Sequence, residues 1–169
     1  MNKKRVFTFV LALILLTTMV GIAAANNRNF RAHLSGEGEI PAVDTQAQGQ
    51  AIFQLSKDGS ALSFKLIAAN IEDIAQAHIH CGASDVNGPV VVFLYPDGPP
   101  AQLIPGRFDG VLAQGTRTNA NIIPRPDSAA CPGGVANFDD LIAKIRSGDA
   151  YVNVHTLENP GGEIRGQIR

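Results

Sequence analysis

Residues 77–82 read Ala77-His78-Ile79-His80-Cys81-Gly82, and residues 151–155 read Tyr151-Val152-Asn153-Val154-His155. Three of the chain's four histidines lie in these two stretches. Val and Ile alternate with polar residues at period two, the pattern of a half-buried β-strand. On a strand, residues i and i+2 point to the same face, so His78 and His80 project together while Ile79 points the other way. The same parity puts Tyr151, Asn153 and His155 on one face and Val152 and Val154 on the other. With Ile79, Val152 and Val154 turned to the core, all three imidazoles fall on the outer face of a sheet.

Working outward, the rest of the chain repeats this strand-and-turn rhythm. Strands are predicted over residues 29–35, 48–56, 61–68, 90–95, 108–118, 150–156 and 163–168, besides the strand carrying His78 and His80. Lys57-Asp58-Gly59-Ser60 joins the second and third, and its Asp-Gly pair is a hairpin signal. Phe138 to Arg146 is the one clear helix: Asn137 caps it, Asp139 and Asp140 fill its first turn, and Gly148 follows its last. Around eight short strands at turn-punctuated spacing plus one short helix near the C-terminal part describe an all-β, antiparallel sandwich or barrel.

The first residues are set apart. Lys3-Lys4-Arg5 precedes an apolar run from Val6 to Val20, short of the ~20 residues a membrane span needs, and Ala23-Ala24-Ala25 supplies small residues for cleavage. Residues 1–25 therefore read as a secretory signal peptide, leaving residues 26–169 as one domain of 144 residues, secreted or periplasmic, with no stable membrane insertion. Lys3, Lys4 and Arg5 are three of the 14 basic residues, so the mature segment carries 11 against 15 acidic, a formal charge of −4. That balance, with few aromatics and no basic run, excludes nucleic acid as the expected partner. It also opposes an anionic membrane surface.

Cys81 and Cys131 both lie in the exported part, where one disulfide is the default reading, worth roughly 4 kcal/mol in the chain-entropy account. The competing reading makes Cys81 a thiolate ligand, which strand parity opposes unless the strand ends there.

Three imidazoles on one face suit copper, zinc, nickel or iron, since two strands supply a rigid donor set. Pairing His155 with Glu163 across the final hairpin puts Asn153 opposite Arg165 and Tyr151 opposite Gln167. Glu163 then offers a fourth ligand or an acceptor that holds an imidazole tautomer. Arg165 could hold that carboxylate or guide an anion to the metal. The alternative is a belt of His, Asn, Glu and Arg that stabilises the sheet under a loop and does no chemistry. The remaining histidine, His33, reads as a surface residue of an edge strand. Asp85, Asn87 and Gly88 lack the spacing of a calcium loop, and no G-x-S-x-G elbow exists, so hydrolase chemistry finds no support.

The segments LSGEGEIPAV (34–43), AHIHCG with NGPVVVFL (77–82 and 87–94) and YVNVHTLENPGGEIRGQI (151–168) resemble the CHRD domain, named for chordin and also found alone in secreted prokaryotic proteins. The resemblance covers about Phe30 to Ile168. It implies an extracytoplasmic β-sandwich and brings no assigned activity with it. More distantly, the His-x-His-x-x-Gly pattern with one His on a later strand is similar to copper–zinc superoxide dismutase. That similarity implies a Greek-key barrel, superoxide-dismutase-like or immunoglobulin-like, with His78, His80 and His155 in the copper-ligand positions. No histidine in the loop after His80 could bridge a second metal, so a mononuclear site is what it implies.

Together these readings favour a secreted or periplasmic binding or structural module over an enzyme, with an outer histidine face that could hold one copper or zinc ion. Its expected partner is an extracellular protein or matrix component. The alternative is a mononuclear copper redox enzyme of the superoxide-dismutase type, with Arg165 guiding the anion.

Overall fold

The computed structural model describes residues 27–169, so the signal-peptide reading of residues 1–25 lies outside the described residues. Seven strands and one α-helix follow in order: β1 (Asn29–Ser35), β2 (Gln48–Leu55), β3 (Ala61–Cys81), β4 (Val90–Tyr95), β5 (Ile104–Thr118), α1 (Phe138–Ser147), β6 (Ala150–Thr156) and β7 (Ile164–Gln167). All strand pairs are antiparallel. The order β2-β1-β7-β6-β3 closes on itself because β3 also pairs with β2, giving a five-stranded barrel with β4 and β5 as outer strands. Closure between β1 and β7 rests on Ser35 opposite Arg165, continued by reciprocal backbone hydrogen bonds between Arg31 and Arg169 (2.8 and 2.9 Å).

The alternation read from the sequence survives almost intact. β1 and β2 bury every second residue, and Phe30, Ala32, Leu34, Ala51, Phe53 and Leu55 enter the core from them. Fully burying side chains of the larger kind contributes roughly 1.5–3 kcal/mol each. At the hairpin between β2 and β3, Asp58 accepts from Ser56, from Ser60 and from the Ser60 backbone N–H, while Gly59 takes φ +76°. Asn137 and Asp140 exchange side-chain-to-backbone hydrogen bonds at the start of α1, and Gly148 ends it at φ +80°. Phe138, Leu141, Ile142 and Ile145 bury the apolar stripe of the helix.

The main departure is β3. Separate strands were expected at 61–68 and around the histidines, yet residues 61–81 form one bent strand. Asn70 and Asp73 adopt left-handed φ of +54° and +51°, and the pairing with β5 shifts register there. Such bulges bend a strand without ending it. Both are held by side-chain contacts: Asn70 N–H donates to Asp109 (2.8 Å) and Gly106 N–H donates to Asp73 (2.7 Å). The bend carries β3 from β2 and β5, along its first half, to β6 and β4 along its second. The histidine pair is thereby delivered beside β6. His33 is exposed as expected, but β1 lies between β2 and β7 rather than at an edge.

Cys81, the last residue of β3, is disulfide-bonded to Cys131, 50 positions later in the sequence, with Cα atoms 5.4 Å apart. The bond settles the choice left open by the sequence: Cys81 is no thiolate ligand.

Candidate metal centre

β3 and β6 set His78 opposite Asn153, His80 opposite Tyr151, and Gln76 opposite His155. Ile79, Val152 and Val154 are completely buried in the core, so the imidazoles stand on the other face of the sheet, as parity requires. That face is not open to solvent. His78, His80 and His155 are only 3, 7 and 7% exposed, because loops 36–45, 82–89 and 157–163 fold over them. Sequence periodicity records which way a side chain points but not what later segments lay on top of it.

One nitrogen from each of the three rings lies within 4.8 Å of the other two. Two of the rings are fixed in tautomer by backbone oxygens. His80 Nδ1 is 2.8 Å from the Gly88 carbonyl and His155 Nδ1 is 3.0 Å from the Pro160 carbonyl. A carbonyl oxygen only accepts, so both Nδ1 atoms carry hydrogen and both Nε2 atoms keep their lone pairs. His78 Nδ1 sits 3.0 Å from His155 Nε2. The Nε2 atoms of His78 and His80 are buried without a protein partner.

Electrostatics keep the rings uncharged. Burial, and then the neighbouring imidazoles of His155 and His80, hold His78 down to a pKa of about 3. Burial likewise holds His80 at about 4, against the opposing pull of its hydrogen bond to Gly88. His155 is lowered by burial. Neutral imidazole is the metal-binding form, so no proton need be removed from these rings at neutral pH.

Aromatic packing holds the rings in place. Tyr151 stacks on His80 (centroids 4.8 Å, interplanar angle 12°), and Phe93 meets His78 edge-on at 4.6 Å. Arg165 lies 3.4 Å above the Tyr151 ring on its guanidinium carbon. Its donors go to loop 82–89: to Ala83 O (2.8 Å), Val86 O (2.9 Å) and Asn87 Oδ1 (3.1 Å). Arg165 thus orders the loop whose Gly88 carbonyl orients His80.

The register predicted for the last hairpin is present: Tyr151 faces Gln167 and Asn153 faces Arg165. Glu163 follows the same alternation, but its carboxylate is taken up by Thr45 Oγ1 (2.8 Å), Thr156 Oγ1 (2.7 Å) and Asn159 Nδ2 (3.4 Å). It stands outside the group of three donors. Asn153 is buried on the histidine face with Oδ1 unpartnered. Glu39 is a buried acid that the sequence did not single out. Its signal was its place in the LSGEGEIPAV segment, which turns out to cover the histidine face.

A family model for the CHRD domain matches residues 30–168, most of the chain. The chain belongs to the CHRD family. The match takes in every strand of the barrel but the first residue of β1, and all three histidines. The chain matches no curated protein and no solved structure. In this CHRD domain the HIH and VNVH segments, on which the resemblance partly rests, are the two strands that bring three imidazoles together. Among the described residues, no helix is long and apolar enough to cross a membrane. The disulfide fits an oxidising compartment outside the cytoplasm.

Proposed function

We propose that this CHRD domain is an extracytoplasmic binding or structural module that holds one copper or zinc ion on His78, His80 and His155. The observation that carries the reading is the tautomer lock. The Gly88 and Pro160 carbonyls leave the lone pairs of His80 and His155 on Nε2, and that of His155 meets His78, the arrangement by which metal-binding histidines are oriented. Three nitrogen donors suit either ion. The redox-enzyme alternative draws less support. An anion guide needs a guanidinium turned to solvent, and Arg165 is 2% exposed with its donors spent on a loop. Enclosure favours holding an ion over exchanging substrate at it, and the module's partner would be an extracellular protein or matrix component.

The test is metal content of residues 26–169, prepared without a histidine tag, beside His78→Ala/His80→Ala. One equivalent of copper or zinc in the parent and none in the variant supports the reading. No ion in the parent after incubation with either metal sinks it.

A further inference from the structure

A divalent ion on three neutral imidazoles leaves two positive charges in a buried place, and the Arg165 guanidinium over Tyr151 adds a third nearby. Buried charge without a counter-charge is costly. Among the described residues two carboxylic acids are buried, Glu39 and Glu163. Glu163 is satisfied by two hydroxyls and a carboxamide. Glu39 is 7% exposed and its Oε1 has no partner.

The placement of Glu39 is constrained. A Cβ built on Gly162 would lie 2.3 Å from Glu39 Oε1 and 2.9 Å from Asn153 Nδ2, so both side chains converge on one point under loop 157–163. Gly162 has φ +130°, and any side chain there would push into this contact. Asn153 stands on β6 between the positions of His155 and Tyr151, directly across from His78 on β3. Its carboxamide also bears on the His80 ring. Among the described residues, five buried side-chain polar atoms have no partner in the protein, and four of them belong to Glu39, Asn153, His78 and His80. Leaving such groups unpaired is costly, so a shared ligand is the simplest account of their clustering.

We infer that Glu39 and Asn153 form the second half of the metal centre, a positioning pair that faces the ion's non-histidine side, with Glu39 supplying the compensating charge. This rests on the metal reading above. Burial raises the Glu39 carboxyl to about 7, against the pull of Arg165 and the Ile40 N–H, which suits a group whose charge is drawn out by a cation.

The experiment titrates Co(II) into residues 26–169 and into Glu39→Gln, reading affinity and the d–d absorption spectrum. In parallel, Zn(II) is added to the parent while the Glu39 side-chain carboxyl is followed by ¹³C NMR. Expected are affinity about tenfold or more weaker in Glu39→Gln, an altered d–d spectrum, and a move of the Glu39 carboxyl resonance to its ionised position on Zn(II) saturation. A variant matching the parent in affinity and spectrum, or a Glu39 resonance unmoved by Zn(II), overturns the inference while leaving the histidine site standing. Should the parent bind neither ion, both readings fall together. The NMR measurement needs no substitution, so it decides the matter even where Glu39→Gln folds poorly.

Discussion

His78 Nδ1 on β3 and His155 Nε2 on β6 lie 3.0 Å apart, although the two residues are 77 positions apart in sequence. Because His155 Nδ1 is committed to Pro160, its Nε2 is the acceptor, and His78 Nδ1–H is the donor in the metal-free protein. An ion that takes the His155 lone pair must break this hydrogen bond. At neutral pH, ¹⁵N NMR of the metal-free domain should show His80 and His155 as Nδ1–H tautomers. His78 and His80 should keep neutral-form shifts below pH 5, given values of about 3 and 4. An Nε2–H tautomer at His80 or His155 contradicts the orientation assigned to the donors.

Stability should respond to pH through two opposed terms. The three histidines have folded-state values below their ordinary 6.5, so their contribution is complete above that pH and is lost as pH falls, when the unfolded chain takes up protons the folded one refuses. Glu39 has the opposite sign. Its value rises from 4.5 to about 7 on folding, so it favours the folded state at low pH and that benefit is lost as pH climbs toward 7. Three histidines outweigh one carboxyl, so the Tm of the metal-free domain should fall on acidification from pH 7 to 5. Glu39→Gln, which removes the opposing contribution, should steepen that fall. A Tm rising steadily from pH 6.5 to 5 would contradict these assignments.

Gly88 tests the loop that orients His80. A Cβ there would meet the Cys81 carbonyl oxygen at 1.6 Å, so Gly88→Ala must displace the backbone that bonds both His80 and Tyr151. Affinity for copper or zinc should drop about 10–100-fold, measured by competition with a chelator. Unchanged affinity would show that this carbonyl does not orient the ring.

Arg165→Met should cost about 2–4 kcal/mol in urea denaturation, since it strips partners from the Ala83 and Val86 carbonyls and removes the cation–π contact. Arg165→Lys should rescue little, because an ammonium cannot reproduce the planar fork of donors. Amides of loop 82–89 should exchange faster in both variants. Full rescue by Lys would mean that charge alone, not geometry, holds the loop.

Removing the disulfide through Cys81→Ser/Cys131→Ser should destabilise the domain by about 4 kcal/mol, as expected for a loop of this length. The comparison is chemical denaturation of the oxidised parent and the variant. A loss below about 1 kcal/mol would indicate that loop 119–134 is held chiefly by its other contacts, such as the backbone pairing of Arg125 with Val135.

The sequence by itself determined what is local. Period-two alternation placed six of the eight expected strands as distinct elements and the other two within β3, Asp58-Gly59 set the hairpin, Asn137 and Gly148 bounded the helix, and strand parity put the three imidazoles on one face. These are properties of neighbours in the chain, so they are written in it. Tertiary structure alone decided the rest. The bulges at Asn70 and Asp73 fused two strands into one because Asp109 and Gly106, more than 30 residues away, anchor them. Three loops buried a face that alternation marks only as opposite to the core. Glu163, a candidate ligand along the chain, is satisfied instead by Thr45 and Thr156, while Glu39, to which the chain gives no role, keeps an unpaired oxygen near Asn153. Whether a polar group is free to meet a ligand depends on partners brought by the fold, and no reading along the chain contains them.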